Sequence, residues 1–72
     1  MYKAKICGVD ISVGDVLEDS SGNACTVYRL WRLCDRGAII ISFYWVNCRG
    51  NLYDDCATDR TFPIVFKRKL KI

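Results

Sequence analysis

Residues 38–47 read Ala-Ile-Ile-Ile-Ser-Phe-Tyr-Trp-Val-Asn. β-branched and aromatic side chains fit an extended, pleated backbone and lose rotamer freedom in a helix. This run therefore predicts the strongest strand in the chain. Its backbone groups need partners, so neighbouring segments must supply further strands.

Period-two patterning recurs on both sides of it. Val9, Ile11 and Val13 alternate with Asp10 and Ser12. Gly14-Asp15 turns the chain into Val16-Leu17, and Glu18-Asp19-Ser20-Ser21-Gly22-Asn23 is a second turn cluster. Residues 24–33 are again rich in strand formers, Cys34-Asp35-Arg36-Gly37 is a turn, and Arg49-Gly50-Asn51 is another. Leu52-Tyr53 opens a short strand that fades into Asp54-Asp55. A short helix or 3₁₀ turn fits best between Asp54 and Arg60. Thr61 to Ile72 closes the chain as a strand, with Pro63 near its start, where a missing donor is tolerated. In that strand Ile64, Phe66, Leu70 and Ile72 share one face, and Val65, Lys67, Lys69 and Lys71 the other. Short strands between closely spaced turns predict an all-β domain spanning residues 1–72: a small antiparallel barrel of five or six strands.

Placing Leu33 opposite Ala38 assigns the faces of the central hairpin. Tyr28, Leu30, Ile39, Ile41, Phe43 and Trp45 form a core layer; Val27, Arg29, Trp31, Ile40, Ser42 and Tyr44 lie on the other side. The second face mixes aromatic and cationic groups, which stack on bases or anchor a protein partner. A two-residue turn at Arg49-Gly50 adds Tyr53 to it, across from Val46. A three-residue loop sends Tyr53 to the core side, since a slip of one residue inverts every side chain. Arg29, Trp31, Tyr44 and Tyr53 are thus the candidate stacking or partner residues. A plainer account of Trp31 and Tyr44 is that they cover more of a closed core.

Charge is segregated. Lys3, Lys5, Lys67, Arg68, Lys69 and Lys71 put six cations and no acid at the two ends. Residues 6–66 hold five arginines and all eight acids. Should the ends meet, the six form one site for nucleic acid or another anionic surface. Lysines on terminal strands also protect edges from unwanted pairing.

The five cysteines are odd in number, have no C-x-x-C pair, and are accompanied by no histidine. That pattern points to reduced thiols over a disulfide framework, leaves an all-cysteine zinc site as the minor alternative, and calls for no cofactor. Without histidine the commonest general base is missing, and no nucleophile elbow, phosphate loop or dinucleotide glycine run is present, so no enzyme is expected. No segment approaches the roughly 18 apolar residues of a spanning helix, and nothing reads as a signal peptide; the expectation is a cytoplasmic protein without a membrane partner.

Ile11 to Asn23 followed by Thr26-Val27-Tyr28-Arg29-Leu30 resembles the opening of small Src-homology-3-like barrels of the KOW and Tudor kind, with a Gly-Asp turn, a strand, a glycine-containing loop and a second strand in that order. Gly50-Asn51-Leu52-Tyr53 and Phe62-Pro63-Ile64 resemble the closing strands of short accessory proteins from bacteriophages and mobile elements. The resemblance implies a barrel and a binding role and transfers no functional residue. Two functions follow: a non-catalytic module that contacts nucleic acid through the basic terminal strands, or a phage-type inhibitor or adaptor that binds a host protein. A homodimer, through an edge strand (the last one) or through the Trp31 face, is a further expected association.

Overall fold

The computed structural model describes residues 1–34 and 37–70. The chain is mostly β. Seven strands and one helical turn follow in order: β1 (Lys3–Ile6), β2 (Val9–Ser12), β3 (Val16–Asp19), β4 (Ala24–Arg32), β5 (Ile39–Val46), β6 (Leu52–Thr58), α1 (Phe62–Val65) and β7 (Phe66–Leu70). β1 and β2 form a two-stranded hairpin; the others form an antiparallel five-stranded sheet in the order β6-β5-β4-β3-β7. Among the described residues seven strands stand where five or six were expected, because residues 3–6 pair with β2 as a strand of their own. Among the described residues the sheet does not close into a barrel.

The hairpin covers one face of the sheet. Ile6 and Ile11 join Leu17, Cys25, Val27, Leu30, Ile41, Phe43 and Phe66 in one buried cluster. Burying a side chain of this size is worth about 1.5–3 kcal/mol. Backbone bonds fix the hairpin to the sheet: Gly14 N–H donates to Val27 O (2.8 Å), Val27 N–H to Asp15 O (2.9 Å), and the terminal amine to Leu30 O (2.9 Å). The β1–β2 turn is Cys7-Gly8, with φ of 51° and 78°. Cys7 thus adopts a left-handed conformation that a residue with a Cβ seldom takes.

The central hairpin has the expected register, with Trp31 opposite Ile40 and Leu33 N–H bonded to Ala38 O. Its first half does not. A bulge between Val27 and Arg29 inserts one residue into β4. Val27 turns into the core and Tyr28 out to solvent, the reverse of simple alternation. The bulge sits where Val27 is already bonded to the chain at Gly14 and Asp15.

Two further expectations are corrected. β6 does not fade at Asp54-Asp55 but runs to Thr58, because β5 supplies a partner for every residue. Residues 61–65 are not strand: Phe62–Val65 is one helical turn with Pro63 in its first turn, where its missing N–H costs nothing. Val65 O accepts from Ser20 N–H at 2.9 Å, which holds that turn against the end of β3. In β7 a second irregularity, opposite Glu18/Asp19, breaks the predicted alternation. Phe66 is buried, but Leu70 pairs with Val16 and Arg68 with Glu18 on the outer side, while Lys69 shares the inner side with Leu17.

Candidate functional site

In β1, Ala4 and Ile6 point inward, so Lys3 and Lys5 are exposed on the hairpin's outer surface. They face Ser12 and Asp10 respectively, and the four side chains with Ala4 line a shallow open groove. Lys69 reaches that hairpin from β7. Its ammonium donates to the Asp10 carbonyl at 3.0 Å and pairs with the Asp15 carboxylate at 3.1 Å. Lys69 thus docks on β2, the strand that pairs with Lys3 and Lys5, and β7 comes to lie beside the basic hairpin.

Acids that sequence reading left aside pair with two of these cations on opposite sides of the sheet. Asp15 holds Lys69, and Glu18 accepts from Arg68 Nε at 3.3 Å. Among the described residues Lys3, Lys5 and Lys67 are exposed and form no ion pair. Lys71 lies outside the described residues.

The aromatic residues form a separate surface. Register places them on the outer face of β4, β5 and β6, away from the hairpin. One row across the sheet reads Leu70, Val16, Thr26, Tyr44, Asp54; the next holds Tyr28 and Arg29, Ser42 and Cys56; a third holds Trp31, Ile40 and Thr58. The Arg29 guanidinium carbon lies 5.0 Å from the Trp31 ring centre, within cation–π range. The Tyr28 and Tyr44 rings are 6.1 Å apart, and the Tyr28 hydroxyl donates to Asp54 Oδ1 at 2.7 Å. That bond to a carboxylate, with smaller contributions from desolvation and charge, raises the Tyr28 phenol above its ordinary pKa. Tyr28, Tyr44, Val46 and Leu52 are 43%, 39%, 53% and 67% exposed, so this face is apolar and uncovered.

Tyr53 belongs elsewhere. The β5–β6 connection has a three-residue loop, Cys48-Arg49-Gly50, closed by Asn47 N–H to Asn51 O at 3.0 Å. Asn47 Oδ1 accepts from Arg49 and Asn51, and Gly50 takes φ +83°. Tyr53 consequently pairs with Trp45, not Val46, and the two rings stack at 4.6 Å on the inner side of the sheet. It is not part of the Trp31–Tyr44 face.

The interface components thus divide: Arg29, Trp31 and Tyr44 on the sheet's outer face, Lys3, Lys5 and Lys69 at the hairpin. Tyr28, Leu52 and Asp54 were missed as face residues, and only the bulge and loop geometry reveals them.

The cysteines are dispersed. Cys25 is buried; Cys7, Cys34, Cys48 and Cys56 are exposed. Burial, then the charge and hydrogen bond of Asp19, push the Cys25 thiol up to about 11. Among the described residues no three metal-ligating side chains come together. No helix among them is long and apolar enough to cross a membrane. Compared with known proteins, the chain matches no family model, no curated protein and no solved structure.

Proposed function

We propose that this chain is a non-catalytic binding module that contacts an anionic surface, nucleic acid foremost, through Lys3, Lys5, Lys67 and Lys69. The observation that carries this reading is the contact of Lys69 with Asp10, directly across from Lys5. It brings Lys69 beside the hairpin that carries Lys3 and Lys5, 64 positions before it in the case of Lys5. Lys69 is shared with Asp15, so a phosphate competes for it, whereas Lys3, Lys5 and Lys67 are open to solvent. The aromatic groups lie on another face. Contact is therefore to phosphates and carries little sequence preference. The reading fits the binding role implied by the likeness to Src-homology-3-like barrels, and the free thiols fit a reducing, cytoplasmic setting.

The test is fluorescence anisotropy with single- and double-stranded oligonucleotides over a salt series. Three to four neutralised phosphates give a log–log slope of about −3 to −4 for duplex. Lys3→Glu with Lys5→Glu flattens it. Binding that ignores salt, or no binding at low salt, overturns the proposal.

A second reading, a protein-contact module, rests on a different observation: the uncovered Tyr28–Tyr44–Leu52 face with Arg29 on Trp31. Tyr, Trp and Arg dominate the energetics of protein interfaces. Its test is capture from nuclease-treated lysate by the native chain and by Tyr44→Asp; equal capture by both removes the face from consideration.

A further inference from the structure

Resting on the second reading, that the outer face is a protein contact, we infer that its occupant is a second copy of this chain, packed face to face about a twofold axis that runs along β5.

The face is apolar along its middle strand and charged on its flanks. β5 contributes Ile40, Ser42, Tyr44 and Val46 to it. On one flank stands Arg29 of β4; on the other stands Asp54 of β6. An isologous contact must be self-complementary. A twofold axis parallel to β5 lays β5 on its counterpart, and sets β4 of each copy over β6 of the other. Arg29 then lies over the Cys56 row, one row from Asp54. Alternate residues along a strand are about 6.6 Å apart, so the guanidinium reaches that carboxylate, and the pair forms twice. An axis across the strands at Ser42 instead sets β4 on β4 and brings Arg29 against Arg29. Charge therefore selects the first arrangement. Two twisted sheets stacked this way pack about 10 Å apart at about −30°, and the exposed Tyr28, Tyr44, Val46 and Leu52 fill the gap.

The sheet edges suit self-pairing less. In the β5–β6 ladder the odd-numbered residues of β6 bond inward, as Asp59 N–H to Ile39 O and Asn47 N–H to Asn51 O show by parity. The outward N–H of Cys56 is covered by Asp55 Oδ1 at 2.8 Å, and that of Thr58 by Thr61 Oγ1 at 2.9 Å. The β7 edge carries an irregularity and exposed cations. Both are devices that discourage strand pairing.

Sedimentation equilibrium on the full chain in reducing buffer tests the inference. The native chain is expected to be a dimer. Arg29→Asp and Asp54→Arg each place like charges together and weaken dimerisation about tenfold or more. Combining them restores a dimer of near-native affinity, a result that misfolding of either variant cannot produce. Tyr44→Asp, with its fold checked by circular dichroism, is monomeric. A native chain that stays monomeric on the order of 1 mM overturns the inference, and a dimer indifferent to these substitutions does so by placing the contact elsewhere. Should Tyr44→Asp abolish capture of a different protein while the native chain is monomeric, the face is a protein contact and the second copy is not its occupant.

Discussion

Tyr28 donates its hydroxyl to Asp54 at 2.7 Å across an intervening strand, so β4 and β6 are clasped over β5. The clasp depends on the bulge that turns Tyr28 outward. It also places the carboxylate among aromatic rings on the exposed face. Removing the acceptor should let the phenol ionise at lower pH. In an ultraviolet titration, Asp54→Asn is expected to move the ionisation of one phenol to lower pH than in the native chain. An identical titration curve for the variant would argue against the clasp in solution.

Asp19 organises the turn between β3 and β4. Its Oδ1 accepts from the N–H groups of Ser21 (2.9 Å) and Asn23 (2.7 Å), and its Oδ2 from the Asn23 side-chain amide (3.0 Å). Partial burial alone would raise its pKa, but these bonds outweigh that and hold it below the ordinary value. A carboxyl depressed in the folded state stabilises the fold above its unfolded pKa, about 3.9, and ceases to as pH falls through the folded value. Asp19→Ala should cost about 1–2 kcal/mol at neutral pH. Urea melts should show that gap narrowing in acid; a gap independent of pH would contradict the assignment.

Thiol reactivity should split four to one. Cys7, Cys34, Cys48 and Cys56 are exposed, whereas Cys25 lies in the core with its thiol pushed up to about 11. The thiolate is the nucleophile. At a dilution that keeps the chain monomeric, alkylation at neutral pH followed by mass spectrometry is expected to add four groups quickly and the fifth only on unfolding. Rapid labelling of Cys25 in the native protein would contradict its place in the buried cluster.

Asp55 guards an edge. Its carboxylate covers the outward N–H of Cys56, in the middle of a strand that has no lysine, proline or bulge. Asp55→Ala removes both the cover and a charge, and exposed regular edges template strand pairing. The variant should form higher-order aggregates, seen by light scattering in reducing buffer, while the native chain does not. Equal scattering would mean that Thr61 and the twist of the strand suffice.

Cys7 offers a gain in stability. At φ 51° it occupies a conformation that Asn takes readily, in a two-residue hairpin turn ahead of Gly8. Against this, its Sγ gives up a 3.5 Å contact with Asp59 O. Cys7→Asn is expected to raise the melting temperature, with an effect of about 0.5–1 kcal/mol. A lower melting temperature would mean that the sulfur contact outweighs the strain.

Strand content and the central hairpin were legible because both are local. Alternation within residues 38–47 reports which side chains share a face, and the turn after Leu33 determines which residue Ala38 meets. The segregation of lysines to the two ends was equally plain. Those properties depend on the order of neighbours along the chain. What residue order did not reveal was where the alternation breaks and what distant segments meet. The Val27–Arg29 bulge exists where β4 bonds to Gly14 and Asp15 on one side and β5 on the other, and it alone exposes Tyr28 and buries Val27. The loop held by Asn47 carried Tyr53 to Trp45. The packing of β7 against β3 delivered Lys69 to Asp10 and Asp15, beside the basic hairpin and on the opposite side of the sheet from the aromatic face. A side chain's face is inherited along a strand by its period of two. Its neighbours across the sheet are chosen by backbone pairing over tens of residues, which only the folded chain can decide.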